Sequence, residues 1–498
     1  MNSASLELRS AQSNCRPIAL VMALPILCWM MSVSLLRGAA PTLYPAPKGE
    51  EISPDYTLKA EGGSVPVYVC KVAPADRERR WKAMDDKTNS ASFFETAAFA
   101  YFDADGPVQL EVTATEPINS AVILPSSYGL LPKVSGKQAS LTVRGPYPRQ
   151  LTLEINGTWK HALHIFVNPV EQAIPKPGSP GLIYFGPGIH EITSLVVTNN
   201  QVVYVAGGAV IRGVIGPAEK FSISGYSGLK NYSPTLSLRG TNITLRGRGI
   251  IDGSFATTHA RHLVHVQGED ITLEGVILRD SSTWTVPVRQ SDRVQISNLK
   301  LLGYRANSDG IDICNSRDVS VRNSFVRTLD DLIVVKTDKN QGKSQRILAE
   351  KCVLWNEVAH ALSVGAELRE DVDDVAFRDC DVIHDLGREW TLRVYHCDAA
   401  RISNIRFEDL RIEESPRLLS LWIDKAVWSR DSERGRINGV VFKNIRATAD
   451  PVRLELKGFD PMHQIENVSF RHVLVNGKPL MASQVSSNAF VKGVTIAP

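Results

Sequence analysis

The sequence predicts an all-β chain, a right-handed parallel β-helix preceded by a small antiparallel β-sandwich. Three observations predict it. Segments of period-two alternation fill the region before residue 170, a proline-rich break follows, and a short strand theme then recurs at countable intervals.

The N-terminus reads as an export leader. Arg9 and Arg16 precede an apolar stretch from Ile18 to Leu36, after which Gly38, Ala39 and Ala40 supply the small residues a signal peptidase accepts. Residues 1–40 are therefore expected to be a signal peptide or, because the stretch is long enough to cross a bilayer, an N-terminal membrane anchor. Pro41 directly after Ala40 makes cleavage there awkward, so membrane attachment stays open. Either way the expected location is secreted, periplasmic or cell-surface.

Residues 50–170 alternate apolar and polar positions between Gly, Pro and Asp turns. Val108, Leu110 and Val112, then Leu141 and Val143, then Leu151, Leu153 and Ile155 each mark one buried strand face, the pattern of a sandwich. Residues 171–180 are the linker, where Ile174-Pro-Lys-Pro-Gly-Ser-Pro180 forbids regular structure and is expected to hold two domains apart.

Residues 181–490 carry the repeat. Asn242-Ile-Thr-Leu245, Asp270-Ile-Thr-Leu273, Arg293-Val-Gln-Ile296, Asp318-Val-Ser-Val321, Arg346-Ile-Leu-Ala349, Asp374-Val-Ala-Phe377, Asn404-Ile-Arg-Phe407, Gly439-Val-Val-Phe442 and Asn467-Val-Ser-Phe470 restate one theme. Their second positions lie 28, 23, 25, 28, 28, 30, 35 and 28 residues apart. No coil leaves room for an amphipathic helix, and the shortest intervals are too short for a four-stranded propeller blade, so stacked β-helical coils fit best. Residues at the corners of adjacent coils then meet on one lateral surface.

Bulk composition excludes some functions. At 498 residues with 43% hydrophobic and 22% charged positions the chain is ordered but too long for one ordinary core. A net charge of +3 with scattered basic residues does not describe a nucleic-acid binder. Beyond the leader's Cys15 and Cys28, five cysteines remain: Cys70, Cys314, Cys352, Cys380 and Cys397. They form no C-x-x-C pair and no zinc spacing, and read as small buried hydrophobes.

The corners supply candidate chemistry. One coil contains Asn307-Ser-Asp-Gly-Ile-Asp312 and the next Leu329-Asp-Asp-Leu-Ile-Val-Val-Lys336. Asp309 and Asp330 are 21 residues apart, close to one coil, with Asp331 adjoining. Carboxylates gathered at stacked positions repel one another, which leaves one protonated beside ionised partners. Glycoside hydrolysis needs that pairing, although Asp in turns also serves ordinary Asx hydrogen bonding.

In order along the chain, Asn307-Ser-Asp-Gly310, Asp330-Asp331, Ala359-His-Ala-Leu-Ser-Val-Gly365 and Arg393-Val-Tyr395 resemble the four motifs of glycoside hydrolase family 28, the polygalacturonases. That family writes them Asn-Thr-Asp-Gly, Asp-Asp, Gly-His-Gly and Arg-Ile-Lys. The resemblance implies Asp330 as general acid, Asp309 and Asp331 holding the attacking water, His360 tuning the acid, and Arg393 gripping substrate. It also implies inversion, with the acid far enough from the water-activating carboxylates to admit a water. Asn307, Tyr395 and Lys336 join Arg393 as candidate substrate-binding residues. No metal or cofactor is expected, and the partner is a polysaccharide or oligosaccharide acted on by a monomer.

Three departures bear on substrate. Ala359 and Ala361 replace both glycines around His360, and Tyr395 replaces a lysine that would receive a uronate carboxylate. A tyrosine suits a neutral or differently charged sugar. The sandwich, the linker and Tyr184-Phe-Gly-Pro-Gly188 are similar to glycoside hydrolase family 49, the dextranases and isopullulanases, so a neutral glucan is the alternative substrate. A β-helical polysaccharide lyase, with Lys336 or Arg393 as base, and a non-catalytic carbohydrate-binding protein are the remaining alternatives. Trp422 and Trp428 are candidates for stacking on sugar rings. His259, His262 and His265 read as solvent-facing or core histidines, because their spacing would need a helix to converge on a metal.

Overall fold

A computed structural model describes residues 40–88 and 91–497; the leader expected over 1–40 lies almost wholly outside the described residues. Two five-stranded sheets form the sandwich. One runs, in spatial order, Gly63–Val65, Tyr56–Ala60, Val108–Ala114, Gln138–Val143 and Lys133–Ser135. The other runs Tyr68–Val72, Glu95–Ala104, Thr158–Pro169, Arg149–Ile155 and Ala121–Leu124. Pairings are antiparallel except that Glu95–Ala104 lies parallel to Thr158–Pro169, opposite Ala98 at Leu163. The strands of both sheets between those two give the chain a long crossover, which a parallel pair requires.

Glu95–Ala104 is apolar on both faces, and both faces are used. Ala98, Ala100 and Phe102 join Leu110, Val112 and Leu141 in the sandwich interior. Phe99 and Tyr101 point the other way and pack with Phe166 against Ile277, Leu302, Phe325 and Trp355 of the β-helix. The linker therefore does not hold the two parts apart. Its prolines end regular structure and let the chain turn back, while apolar burial and a buried ion pair join the parts. In that pair Arg248 Nε lies 2.9 and 3.0 Å from the two oxygens of Asp103.

From Leu182 to Ala497 the chain winds as a right-handed parallel β-helix whose strands form one continuous sheet. The counted theme is its register. Ile243 pairs with Ile271, which pairs with Val294, then Val319, Ile347, Val375, Ile405, Val440 and Val468. The residue before each of these turns a corner: Asn242, Asp270, Arg293, Asp318, Arg346, Asp374, Asn404 and Asn467 have φ between 54° and 57°, and Gly439 has 73°. Asn, Asp and Gly tolerate that left-handed backbone best, which is why they recur there. Asn242 Nδ2 donates to Asn200 Oδ1 at 2.9 Å and Asn467 Nδ2 to Asn438 Oδ1 at 2.8 Å, tying corner to corner between coils.

Inside the coils Phe377, Phe407, Phe442 and Phe470 stack with ring centroids 5.1, 5.1 and 5.0 Å apart. That separation matches the ~4.8 Å between neighbouring strands. The helix runs past the expected end at residue 490, because Val491–Ala497 pairs with Ile465–Val475. All five described cysteines are buried and free. Between two coils the chain inserts an antiparallel hairpin, Phe221–Ile223 with Lys230–Tyr232, outside the main sheet.

Candidate active site

The site is built on one stack of short strands. Ile311, Ile333, Leu362, Leu392 and Leu419 are in register, one per coil, and point inward. Asp309, Asp331 and His360 each stand two positions before the first three of these, so they form a column one strand spacing apart. The register is held by Gly310 N donating to Asp331 O at 2.8 Å and Leu332 N to His360 O at 2.9 Å. Gly310 is required at its place: a Cβ there would lie 2.3 Å from Leu332 O. The stacking partner of Asp309 is thus Asp331, with Asp330 one residue earlier at the corner and partly exposed.

One oxygen from each of Asp309, Asp330 and Asp331 lies within 4.8 Å of the others. All three line a lateral cleft of about 900 Å³. Lys336 reaches into the cluster, its ammonium 2.9 Å from Asp309, 2.9 Å from Asp312 and 3.9 Å from Asp331. Three carboxylates so placed could offer oxygens to a metal ion, but the ammonium already supplies positive charge beside them and would repel it. Expected among the substrate-binding residues, Lys336 is an internal counter-ion, its charge lying 4.2 Å over the Trp284 ring.

These surroundings separate the carboxyls. Burial, with the charge of Asp331, pushes Asp330 up to about 7. Burial works against Asp331 as well, yet His360 and Lys336 hold it below the usual carboxylate range. Asp309 is pushed upward by burial and by Asp312, against the pull of Lys336. Its Oδ1 is buried and has no hydrogen-bond partner among the described residues. The three aspartates therefore include one proton donor near neutral pH, Asp330, one held ionised, Asp331, and one, Asp309, whose burial beside Asp312 favours its protonated form.

His360 Nδ1 lies 2.5 Å from Asp331 Oδ1, and Arg393 Nη1 lies 3.0 Å from His360 Nε2. A guanidinium only donates, so Nε2 is the acceptor and the ring proton sits on Nδ1, pointing at Asp331. His360 thus acts on Asp331 rather than directly on the acid Asp330. Arg393 also donates to Glu389 Oε2 at 2.8 Å and lies 3.8 Å from the centre of the Tyr395 ring. Tyr395 lines the cleft and rests edge-on against Trp422 at 5.0 Å. Asn307 Nδ2 lies 3.5 Å from Asp330 Oδ2, and Asn307 Oδ1 2.9 Å from His259 Nε2.

Sequence reasoning read His259 as a solvent-facing or core histidine, whereas it lines the cleft, and it missed Glu389, which holds Arg393. It also missed Asp312 as partner to Lys336 and Tyr226, whose ring meets His259 at 6.0 Å. Trp428 is at the cleft, where it meets Tyr226 at 5.9 Å. None of these has a motif of its own, and only coil register brings them to the acids. Ala359 lines the cleft beside His360, its methyl where the family has none.

A parallel β-helix with a carboxylate cluster and its counter-ions in a side cleft defines a class of carbohydrate-active site. The chain belongs to glycosyl hydrolases family 28, whose profile matches residues 242–491. It is 26% identical over 191 residues to an exopolygalacturonase of Arabidopsis thaliana, covering 36% of this chain and 42% of that one. It is 22% identical over 290 residues to a polygalacturonase of Cryptomeria japonica, covering 51% and 54%. The chain spans about half the length of the curated relatives it matches. An exopolygalacturonase structure from Thermotoga maritima shares the fold, with a TM-score of 0.50 at 15% identity over 64% of this chain and 83% of that one.

Proposed function

We propose that this protein hydrolyses O-glycosidic bonds of a uronic-acid polysaccharide of the polygalacturonan kind. The observation that carries this is Asp330, pushed up to about 7, beside an Asp331 held ionised. In this reading Asp330 gives its proton to the leaving oxygen. Asp331, oriented by His360 and held ionised, with Asp309 beside it, holds a water, and Asp331 takes its proton as the water attacks the anomeric carbon. Asp309 and Asp331, both beside Lys336, suit a held water, which favours inversion. The relatives' names, polygalacturonase and exopolygalacturonase, supply the substrate class.

A neutral sugar is the second reading, favoured by Tyr395 in place of a lysine and by Arg393 being committed to Glu389. The lyase reading needs a free base, and both of its candidates are engaged, Lys336 by Asp309 and Asp312, Arg393 by Glu389 and His360. Incubation with purified pectic and neutral polysaccharides tests all of these. New reducing ends with NMR detection of an inverted anomer support the proposal. Unsaturated ends absorbing in the ultraviolet identify a lyase, and binding without new ends identifies a carbohydrate-binding protein. Export is also proposed, from the apolar stretch Ile18–Leu36; N-terminal sequencing of protein recovered outside the cytoplasm tests it.

A further inference from the structure

Four arginine and lysine residues line the cleft: Arg289, Lys336, Arg388 and Arg430. Three are committed to carboxylates. Arg289 lies 3.0 Å and Arg430 3.6 Å from Asp338, and Lys336 sits between Asp309 and Asp312. Arg388 is different, because its side chain has no hydrogen bond or ion pair among the described residues.

The loop that presents Arg388 is fixed. Asp385 Oδ1 accepts from Asn356 Nδ2 at 2.8 Å and from Gly387 N at 2.9 Å, and the Thr391 hydroxyl donates to Asp385 Oδ2. Arg388 N donates to Val358 O at 3.0 Å, two residues before His360. Gly387 is what permits this approach, since a Cβ there would stand 2.7 Å from Val358 O. The next residue, Glu389, holds Arg393 against His360. The backbone that carries the guanidinium is thus held in place, so binding has only the side chain left to order.

The geometry points to Arg388 as the residue that receives a sugar carboxylate in this cleft, the role left open where Tyr395 stands in place of a lysine. The argument rests on the hydrolase reading above and extends it to specificity. A wall that also carries Asp85, Asp338, Glu367 and Glu389 repels a polyuronate unless a cation meets the sugar's charge. A planar guanidinium does so through paired, charge-assisted hydrogen bonds.

The test compares a polyuronate with the same polymer after its carboxyl groups are reduced to alcohols. Arg388→Gln is expected to lower the polyuronate-to-reduced ratio of kcat/KM by about tenfold or more, with the loss in KM, as for a lost charge-assisted hydrogen bond. Arg388→Lys should recover part of that ratio. Titration of an oligouronide into Asp330→Asn protein, with and without Arg388→Gln, reads the same loss as binding without turnover. An unchanged ratio, or equal losses on both polymers, overturns the inference while hydrolysis stands. Wild-type protein that cleaves only the reduced polymer also overturns it, whereas cleavage of neither polymer removes the hydrolase reading and this inference with it.

Discussion

Replacing Asp330 by Asn removes the ionising group on which the proposed mechanism turns, and both the loss and its pH dependence follow from the site. With Asp330 pushed up to about 7, about nine-tenths of it carries the proton at pH 6 and about one-tenth at pH 8. The wild-type kcat/KM should therefore fall on an alkaline limb centred near that value, approaching tenfold per pH unit beyond it. Asn cannot donate the proton, so activity should drop by about 10²–10⁴ and the limb should vanish. Reducing-end release from a polyuronate across pH 4–9 (about the stable range of most folded proteins) reads both effects. Unfolding is separable from loss of chemistry. The folded value of Asp330 lies above its unfolded one, so its contribution to stability is full at low pH and is lost as pH climbs toward about 7. Asp330→Asn should consequently melt no lower than wild type, and higher above neutrality. An Asn variant with the wild-type rate, or one that keeps the alkaline limb, refutes the assignment of the acid.

Further predictions concern the buried charges. Lys336→Met leaves Asp309 and Asp312 without their ammonium and should destabilise by about 3–5 kcal/mol in urea unfolding, partly relieved by adding Asp312→Asn. Arg248→Ala strands buried Asp103 between sandwich and β-helix and should cost about the same, read as a lower melting temperature. His384 lies 2.7 Å from both Glu154 and Glu414 and is raised to about 9 by those partners against burial. Its stabilisation is complete below the unfolded value near ~6.5 and is lost as pH rises through about 9. Melting curves from pH 6 to 10 (about this window) should show that decline in wild type and a flatter one in His384→Gln.

Much of this arrangement was legible in the chain. The repeat could be counted because each coil turns at one left-handed corner, and Asn242, Asp270 and Asn404 mark that corner by residue type. The ordered motifs brought Asp309, Asp330, Asp331 and His360 to one cleft. Counting could not fix which aspartate stacks on which, because the intervals vary from 23 to 35 residues and a one-residue slip reverses a side chain. Glu389 and Arg388 were invisible, and the place of His259 beside the acids unread, for a related reason, since each belongs to a loop whose length sets its position. The docking of the sandwich was hidden in Glu95–Ala104, whose apolar residues on both faces are consistent with a strand buried on each side.

The corner amides also bear on how the protein can be produced. Asn156, Asn242 and Asn467 each open an Asn-x-Ser/Thr triplet, the acceptor for N-linked glycans in secretory cells. In the fold all three amide nitrogens are already donors, to Pro117 O at 3.0 Å, Asn200 Oδ1 at 2.9 Å and Asn438 Oδ1 at 2.8 Å. A glycan on that nitrogen removes one of its two hydrogens and sets a bulky branch at a tight turn. At Asn242 and Asn467, both exposed, a glycosylating host therefore leaves a single amide hydrogen to hold each corner to the neighbouring coil.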